Sequence, residues 1–198
     1  MTSLRVSKGI ELDYGHTLPN HSSFCSQLHG HRAKVIATVS GAVCTTDGDS
    51  SQGMVLDFKF LKEIMTLYIH DVLDHGFAVW KESLDDVAFI VRRNKKYLLT
   101  DEPPTAEYLA KWAYAQIVDK IPIGMTLEKL VWYETPSSAA IYTRDLYLSE
   151  KAAEYDQTSI TVFESLVTEP TCKASGKSQM KNMIKSVGRW LKGSDLQE

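Results

Sequence analysis

The sequence predicts an α+β fold in which helices cover one face of an antiparallel sheet. Three observations favour this class: alternating apolar residues between positions 32 and 40, two stretches with apolar residues at helical spacing, and two strand-like segments between positions 127 and 148. The 198 residues, 43% hydrophobic and 24% charged, suit one globular core. The predicted order is strand, strand, helix, a further strand, helix, strand and strand.

The first predicted strand begins at Arg32, where apolar residues occupy alternate positions and β-branched residues are frequent. Residues 44–53 are rich in Thr, Asp, Ser and Gly, which is typical of an exposed loop. The apolar stretch Met54 to Phe58 then predicts a short return strand, antiparallel to the first.

Two helices are predicted from their caps and their periodicity. Asp57 stands at the N-cap position of the first, whose apolar residues recur at helical spacing up to Leu73. Thr105 stands at the N-cap position of the second, with Glu107 in its first turn and apolar residues up to Ile117.

The remaining strands are predicted from short apolar segments bounded by turns. Phe89 to Leu99 is rich in residues that favour strands and precedes a Pro-Pro loop. Leu127 to Tyr133 and Ala140 to Leu148 predict two closing strands around the turn Thr135 to Ser138.

Composition excludes several classes of protein. No apolar run approaches the roughly 20 residues of a membrane helix, so no transmembrane segment is expected, and the N-terminus lacks the apolar centre of a secretory signal. Cys25, Cys44 and Cys172 are too few and too widely spaced to suggest a disulfide framework. These features predict a cytoplasmic protein.

The C-terminal part of the chain differs in charge from the rest. Residues 173–192 hold six basic and no acidic side chains, although the whole chain has a formal net charge of −3. We expect residues 1–149 to form the main domain and 150–198 an extension, with a polar linker and a basic amphipathic helix. Such a helix could bind nucleic acid, an anionic surface or a partner protein, or it could pack on the main domain with its lysines in solvent.

Three of the six histidines lie close together in the sequence. His29 and His31 are two residues apart at the start of a strand, so their side chains point to the same face, and His16 is a third candidate ligand. Catalytic zinc takes three protein ligands and leaves one position open. The alternative is that these histidines are ordinary polar residues at a strand end.

Four further residues are candidates for catalysis. Cys25 lies upstream of the histidine pair, where a nearby metal would favour its thiolate, and Asp74 next to His75 resembles a carboxylate that orients a proton carrier. Glu134 follows an apolar strand and could accept two hydrogen bonds from a planar amino-pyrimidine ring. Each also has a simpler interpretation, as a buried thiol, a chance Asp-His pair or a surface charge.

Six short motifs follow one another along the chain: Gly15-His16-Thr17-Leu18-Pro19, Cys25-x-x-x-His29-Gly30-His31, Gly53-Met54-Val55-x-Asp57-Phe58, Leu73-Asp74-His75, Pro104-Thr105-x-Glu107 and Glu134-Thr135. Taken in this order, they resemble the 6-pyruvoyltetrahydropterin synthase family over about residues 8–148.

The resemblance implies a tunnelling fold with a four-stranded antiparallel sheet and two helices, assembled as a hexamer from two trimers with active sites between subunits. It also implies Zn²⁺ as cofactor, and a role for each site residue. The implied roles are zinc binding by His16, His29 and His31, proton transfer by Cys25 with Asp74 and His75 as its relay, and pterin binding by Glu134, Thr105 and Glu107.

The spacing of three residues between Cys25 and His29 is similar to that of the 6-carboxytetrahydropterin synthases. This resemblance implies conversion of 7,8-dihydroneopterin triphosphate to 6-carboxytetrahydropterin, acetaldehyde and triphosphate, in the synthesis of 7-deazaguanines such as queuosine. The alternatives are a pyruvoyl-forming synthase of the tetrahydrobiopterin type and a non-catalytic protein that binds zinc or pterin.

Overall fold

Six strands form one mixed sheet in a computed structural model that describes residues 3–155. The sheet order is β4-β3-β1-β2-β5-β6. The strands are β1 (Ser3–His16), β2 (His29–Ala42), β3 (Gly76–Trp80), β4 (Tyr97–Thr100), β5 (Thr126–Thr135) and β6 (Ser138–Thr143). The expected four-stranded antiparallel sheet corresponds to β1, β2, β5 and β6, but the count of four is wrong because β3 and β4 extend the sheet in parallel beside β1.

Both predicted helices are present. The helices are α1 (Phe58–Met65), α2 (Asp71–Leu73), α3 (Leu84–Arg93) and α4 (Ala106–Ile117), and a single π-helical turn joins α1 to α2. The Asp57 side chain accepts a hydrogen bond from the backbone N–H of Lys59 at 2.7 Å, and Thr105 Oγ1 accepts one from the N–H of Tyr108 at 3.3 Å. The two predicted N-caps are therefore confirmed.

The predicted return strand over residues 54–58 is wrong. Two backbone hydrogen bonds of 2.8 Å, from Cys44 N–H to the Met54 carbonyl and from Gly53 N–H to the Cys44 carbonyl, close the loop, and α1 begins at once after Asp57. The antiparallel partners of β2 are β5 and β1, and β1 pairs with it along all 14 residues of each strand. A long ladder provides far more backbone hydrogen bonds than a five-residue return strand could.

Two other strand assignments need correction. In the region predicted as strand, Phe89 to Leu99, residues 89–93 belong to helix α3, and strand β4 begins only at Tyr97. Asp85 and Asp86 in the first turn of α3 and Arg92 and Arg93 in its last turn suit the helix dipole, which favours the helix over a strand. The last strand ends at Thr143, and residues 144–155 are helical.

The core lies between one face of the sheet and the helices. Alternate residues of β1, β2 and β5 point towards α1, α2 and α4, in agreement with the expected placement of helices on one face. The largest fully buried side chains include Trp132, Tyr114, Leu61, Met65 and Ile69. This face of the sheet also carries the histidines discussed below.

The compact unit that contains the sheet extends to Ala152. The predicted linker, the basic helix and Cys172 lie outside the described residues. Within residues 3–155, no helix is both long enough and apolar enough to cross a bilayer.

Leu61 on α1 offers a test of this packing. We expect Leu61→Ala to lower the free energy of unfolding by about 2–5 kcal/mol, because it opens a cavity in a fully buried part of the core. Urea unfolding followed by circular dichroism measures the change. Leu84→Ala is the matched control, since Leu84 is 74% exposed. Equal losses for both variants would contradict the assignment of α1 to the core.

Candidate metal and active site

The register of β1 against β2 brings the three predicted ligands together. His16 lies directly opposite His29, and Tyr14 lies opposite His31, so all three histidines share the helix-covered face at one end of the sheet. One ring nitrogen from each histidine lies within 4.8 Å of those of the other two. Among the described residues, these three side chains form a cluster that could hold a metal ion.

Backbone carbonyls set the protonation of two of these rings. His16 Nδ1 lies 2.7 Å from the Pro104 carbonyl oxygen, and His29 Nδ1 lies 2.8 Å from that of Gln27. Because a carbonyl oxygen only accepts, both Nδ1 atoms must carry the proton, and both Nε2 atoms of the neutral rings keep a lone pair. These Nε2 atoms are 3.1 Å apart, where two lone pairs repel unless a cation lies between them.

The third ring completes a donor set that suits zinc. His31 Nε2 is buried and has no hydrogen-bond partner among the described residues. Burial lowers the pKa of both His16 and His31, which favours the neutral form that binds metals. Tetrahedral zinc with Zn–N bonds of about 2.0–2.1 Å holds its nitrogen ligands roughly 3.3–3.4 Å apart, a spacing this cluster can adopt with small movements.

Glycine allows the two strands to approach closely between the histidines. A Cβ on Gly30 would lie 2.9 Å from the Tyr14 carbonyl oxygen, and one on Gly15, directly opposite, would lie 2.5 Å from the Phe77 ring. A side chain at Gly30 would push the backbones of β1 and β2 apart, whereas one at Gly15 would displace the Phe77 ring of β3. The close approach of the two strands between the histidines therefore depends on Gly30.

Glu134 meets the histidine cluster from the end of β5. Its Oε1 lies 3.6 Å from His16 Nε2 and 3.8 Å from His31 Nε2. Glu134 and His31 also line a groove of about 620 Å³ together with Arg32, Lys34 and Tyr133. The structure thus places this candidate at the metal-binding cluster.

Asp74 and His75 form a hydrogen-bonded pair. Asp74 Oδ2 lies 2.8 Å from His75 Nδ1, while its Oδ1 accepts a hydrogen bond of 2.9 Å from the backbone N–H of Asp13. Partial burial opposes ionisation, but the hydrogen bonds from Asp13 and His75 outweigh it and keep the pKa of Asp74 below its usual value. The carboxylate therefore holds the imidazole in one orientation.

His75 is the only non-glycine residue with positive φ among the described residues, at 55°. This left-handed conformation is uncommon for a residue with a side chain and is enriched at functional sites. It turns the chain from α2 into β3, and the side chain lines a depression that His31 and Gly30 also line. The Asp74–His75 pair and the histidine cluster are thus reached from the same depression on the surface.

Cys25 lies in a short 3₁₀ turn, Phe24–Ser26, and is partly exposed. The turn is tied to the residues that follow His16, since Thr17 Oγ1 donates to the Ser26 carbonyl at 2.9 Å and Leu18 N–H donates to the Cys25 carbonyl at 3.0 Å. The backbone of Cys25 is thereby held at the same end of β1 as His16.

The two remaining candidates are separated by the structure. Thr105 caps α4 directly after Pro104, the residue that binds His16. Glu107, in contrast, is exposed and lines a different groove, with Lys111 and Tyr142. Within one chain, the structure does not bring Glu107 to the groove that contains His31 and Glu134.

The sequence analysis missed Tyr14 and Trp132. The Tyr14 ring lies 5.3 Å from that of His16 and 5.5 Å from that of Trp132, between their centroids. The Tyr14 hydroxyl and Trp132 Nε1 are buried and make no hydrogen bond of normal geometry with any described residue. Burial, and then the charge of Glu134, raises the pKa of Tyr14. The apolar alternation of Ile10, Leu12 and Tyr14 could have identified this strand.

Metal binding by the cluster can be tested directly. We expect the chain to bind one Zn²⁺ and His29→Ala to weaken this binding at least about tenfold, because it removes a ligand. Competition with a chromophoric chelator measures the affinity. His21→Ala is the control, since His21 is exposed and bonds to Ser23. The cluster is not the metal site if His29→Ala and His21→Ala bind Zn²⁺ equally well.

Comparison with known proteins agrees with this geometry. The chain is 28% identical over 141 residues to 6-carboxy-5,6,7,8-tetrahydropterin synthase of Haemophilus influenzae, covering 70% of this chain and 97% of that one. It is 32% identical over 145 residues to a putative 6-carboxy-5,6,7,8-tetrahydropterin synthase of Pyrococcus horikoshii, covering 67% and 85%.

A solved structure supports the fold. The 6-pyruvoyl tetrahydropterin synthase of Caenorhabditis elegans is similar with a TM-score of 0.53 and 23% identity, over 72% of this chain and 96% of that one. The family model described as 6-pyruvoyl tetrahydropterin synthase matches residues 5–145, which include the candidate site residues. The chain therefore belongs to the 6-pyruvoyl tetrahydropterin synthase family.

Proposed function

We propose that this protein is a zinc-dependent lyase that converts 7,8-dihydroneopterin triphosphate to 6-carboxytetrahydropterin, acetaldehyde and triphosphate. The observation that carries the proposal is the three-histidine cluster, whose Nε2 atoms converge beside Glu134. The names of the two relatives and the three-residue spacing between Cys25 and His29 favour the carboxy product. We infer that the product serves 7-deazaguanine synthesis in the cytosol.

The groove beside the histidines has the size and polarity that the substrate needs. About 620 Å³ suits a small-molecule ligand. A carboxylate can accept two N–H bonds from the amino-pyrimidine edge of a pterin, which is the role we propose for Glu134. Lys34 and Arg32 line the same groove and give it cationic groups for the triphosphate, although Arg32 also forms a bidentate pair with Asp13 at 2.9 Å.

The chemistry requires proton transfers between carbon atoms of the substrate side chain. Zinc bound to the three histidines supplies a Lewis acid for the side-chain oxygens. We assign proton removal from carbon to the thiolate of Cys25. His75, whose Nδ1–H donates to Asp74, presents Nε2 as the basic atom that relays the proton.

The positions of Thr105 and Glu107 fit an oligomeric enzyme. Thr105 supports the site by capping α4 beside the Pro104 carbonyl. Because Glu107 lines another groove of its own chain, we infer that it contributes to the pterin site of a neighbouring subunit in a hexamer built from two trimers. Residues 1–149 would form this pterin synthase domain, and 150–198 an extension outside it.

Product analysis tests the activity. With Zn²⁺-loaded protein and 7,8-dihydroneopterin triphosphate, we expect mass spectrometry to detect 6-carboxytetrahydropterin and acetaldehyde. Cys25→Ala should lower the rate by about 10²-fold or more, since it removes the proposed base. Cys44→Ala is the control at a second free thiol. A pyruvoyl product would assign the sister activity, and zinc binding without turnover would indicate a binding protein.

The relay can be tested with two neighbouring Asp-His pairs. We expect Asp74→Asn to lower kcat by about 10²-fold or more, because an uncharged amide replaces the carboxylate that orients His75. Asp71→Asn alters a similar pair, in which Asp71 Oδ1 lies 3.1 Å from His70 Nδ1, and should leave kcat nearly unchanged. Steady-state kinetics on both variants measure the difference, and equal effects would remove the relay from the proposal.

A further inference from the structure

We propose that, in the substrate-free protein, the Glu134 carboxylate occupies the fourth coordination position of the metal held by His16, His29 and His31. Substrate would displace it. The inference rests on the metal site of the proposed function, but not on the identity of the product.

The distances between Glu134 and the histidines suit ligands that share one metal ion better than side chains that hydrogen-bond to each other. Glu134 Oε1 is 3.6 Å from His16 Nε2 and 3.8 Å from His31 Nε2, both longer than a hydrogen bond. With zinc–ligand bonds of about 2.0–2.2 Å, tetrahedral geometry separates neighbouring N and O ligands by roughly 3.3–3.5 Å. One oxygen near two of the three nitrogens is therefore placed so that a small movement would bring it to the fourth position of a metal held by the cluster.

Direct hydrogen bonding between Glu134 and the imidazoles does not account for these positions, because both distances exceed hydrogen-bond length. His16 Nδ1 donates to the Pro104 carbonyl, so Nε2 of its neutral ring presents a lone pair to the carboxylate oxygen. Two electron-rich atoms at 3.6 Å repel each other unless positive charge lies between them. A shared cation removes that repulsion.

Two buried donors can hold the carboxylate in place. Trp132 precedes Glu134 by two residues on β5, and the Tyr14 ring packs edge-on against the rings of Trp132 and His16. The Tyr14 hydroxyl and Trp132 Nε1 are both buried, and neither makes a hydrogen bond of normal geometry with a described residue. They can donate to the carboxylate oxygen that does not face the metal, as outer hydrogen bonds commonly do for metal-binding carboxylates.

This arrangement would link recognition of the pterin ring to opening of the metal site. Three histidines and one carboxylate complete a tetrahedral site, so a substrate oxygen takes the fourth position when Glu134 withdraws. The released carboxylate can then accept the N–H groups of the pterin. Ligands without such N–H groups would leave the fourth position closed.

Metal substitution tests the inference without measuring turnover. The protein loaded with Co²⁺ reports its ligands through visible absorption bands, and chelator competition gives the affinity for Co²⁺ and Zn²⁺. We expect Glu134→Gln to shift these bands and to weaken both metals at least about tenfold. Glu134→Asp, which keeps the charge but shortens the reach, should also shift the bands. Glu11→Gln removes a carboxylate from the same groove and should change neither quantity.

Neopterin added to the Co²⁺ protein supplies a second readout. We expect it to shift the bands of the wild-type protein and to have a smaller effect on Glu134→Gln, in which the carboxylate is already absent. Wild-type bands and metal affinity in both Glu134 variants would overturn the inference. Metal binding that depends on Glu134 in a protein without turnover would support it while refuting the proposed activity.

Discussion

The site depends on the antiparallel register of β1 and β2. This register places His16 opposite His29 and Tyr14 opposite His31. Residues 17–28 connect the two strands, so no tight turn specifies the pairing. The alternation of buried residues specifies it, because a shift by one residue would move every side chain of a strand to the opposite face. Formation of the core and assembly of the metal-binding cluster are therefore the same structural event.

The loop before α4 adds a second constraint, because it fixes which ring nitrogen of His16 carries the proton. The Pro104 carbonyl orients His16, and the next residue, Thr105, caps the helix whose face packs in the core. A shift of α4 would thus disturb both a helix cap and a candidate metal ligand. Since His29 is set by the Gln27 carbonyl in the same way, the backbone preorganises two of the three ligands before any metal binds.

The sequence predicted what depends on local chemistry and missed what depends on distant contacts. The caps Asp57 and Thr105 and the i, i+2 histidine pair are local patterns, and the structure has all of them where expected. Strand β1 was missed although Ile10, Leu12 and Tyr14 alternate, and its residues before Ile10 are not buried. Strand β3 is a short apolar run whose parallel pairing with β1 has no local signal.

Within the site, Glu134 and Glu107 also show that contacts between distant residues could not be predicted from the sequence. The resemblance implied pterin binding by both residues, and both lie in recognisable motifs. Only the pairing of β5 with β2 brings Glu134 towards His31, and only the direction of α4 carries Glu107 away to another groove. Contacts of this kind join residues about 100 positions apart, so a single sequence contains no spacing that distinguishes the two carboxylates.

The exposure of the site bears on how the proposed enzyme would work. His75 has an 80% exposed side chain, and Phe24, beside Cys25, is 84% exposed. Proton transfer to and from carbon is favoured when water is excluded from the reacting groups, and one chain leaves these groups open to solvent. An exposed phenylalanine next to the proposed base is also the kind of side chain that interfaces bury. Assembly of several copies would therefore supply the missing wall of the site, which makes the proposed hexamer a condition for catalysis rather than an addition to it.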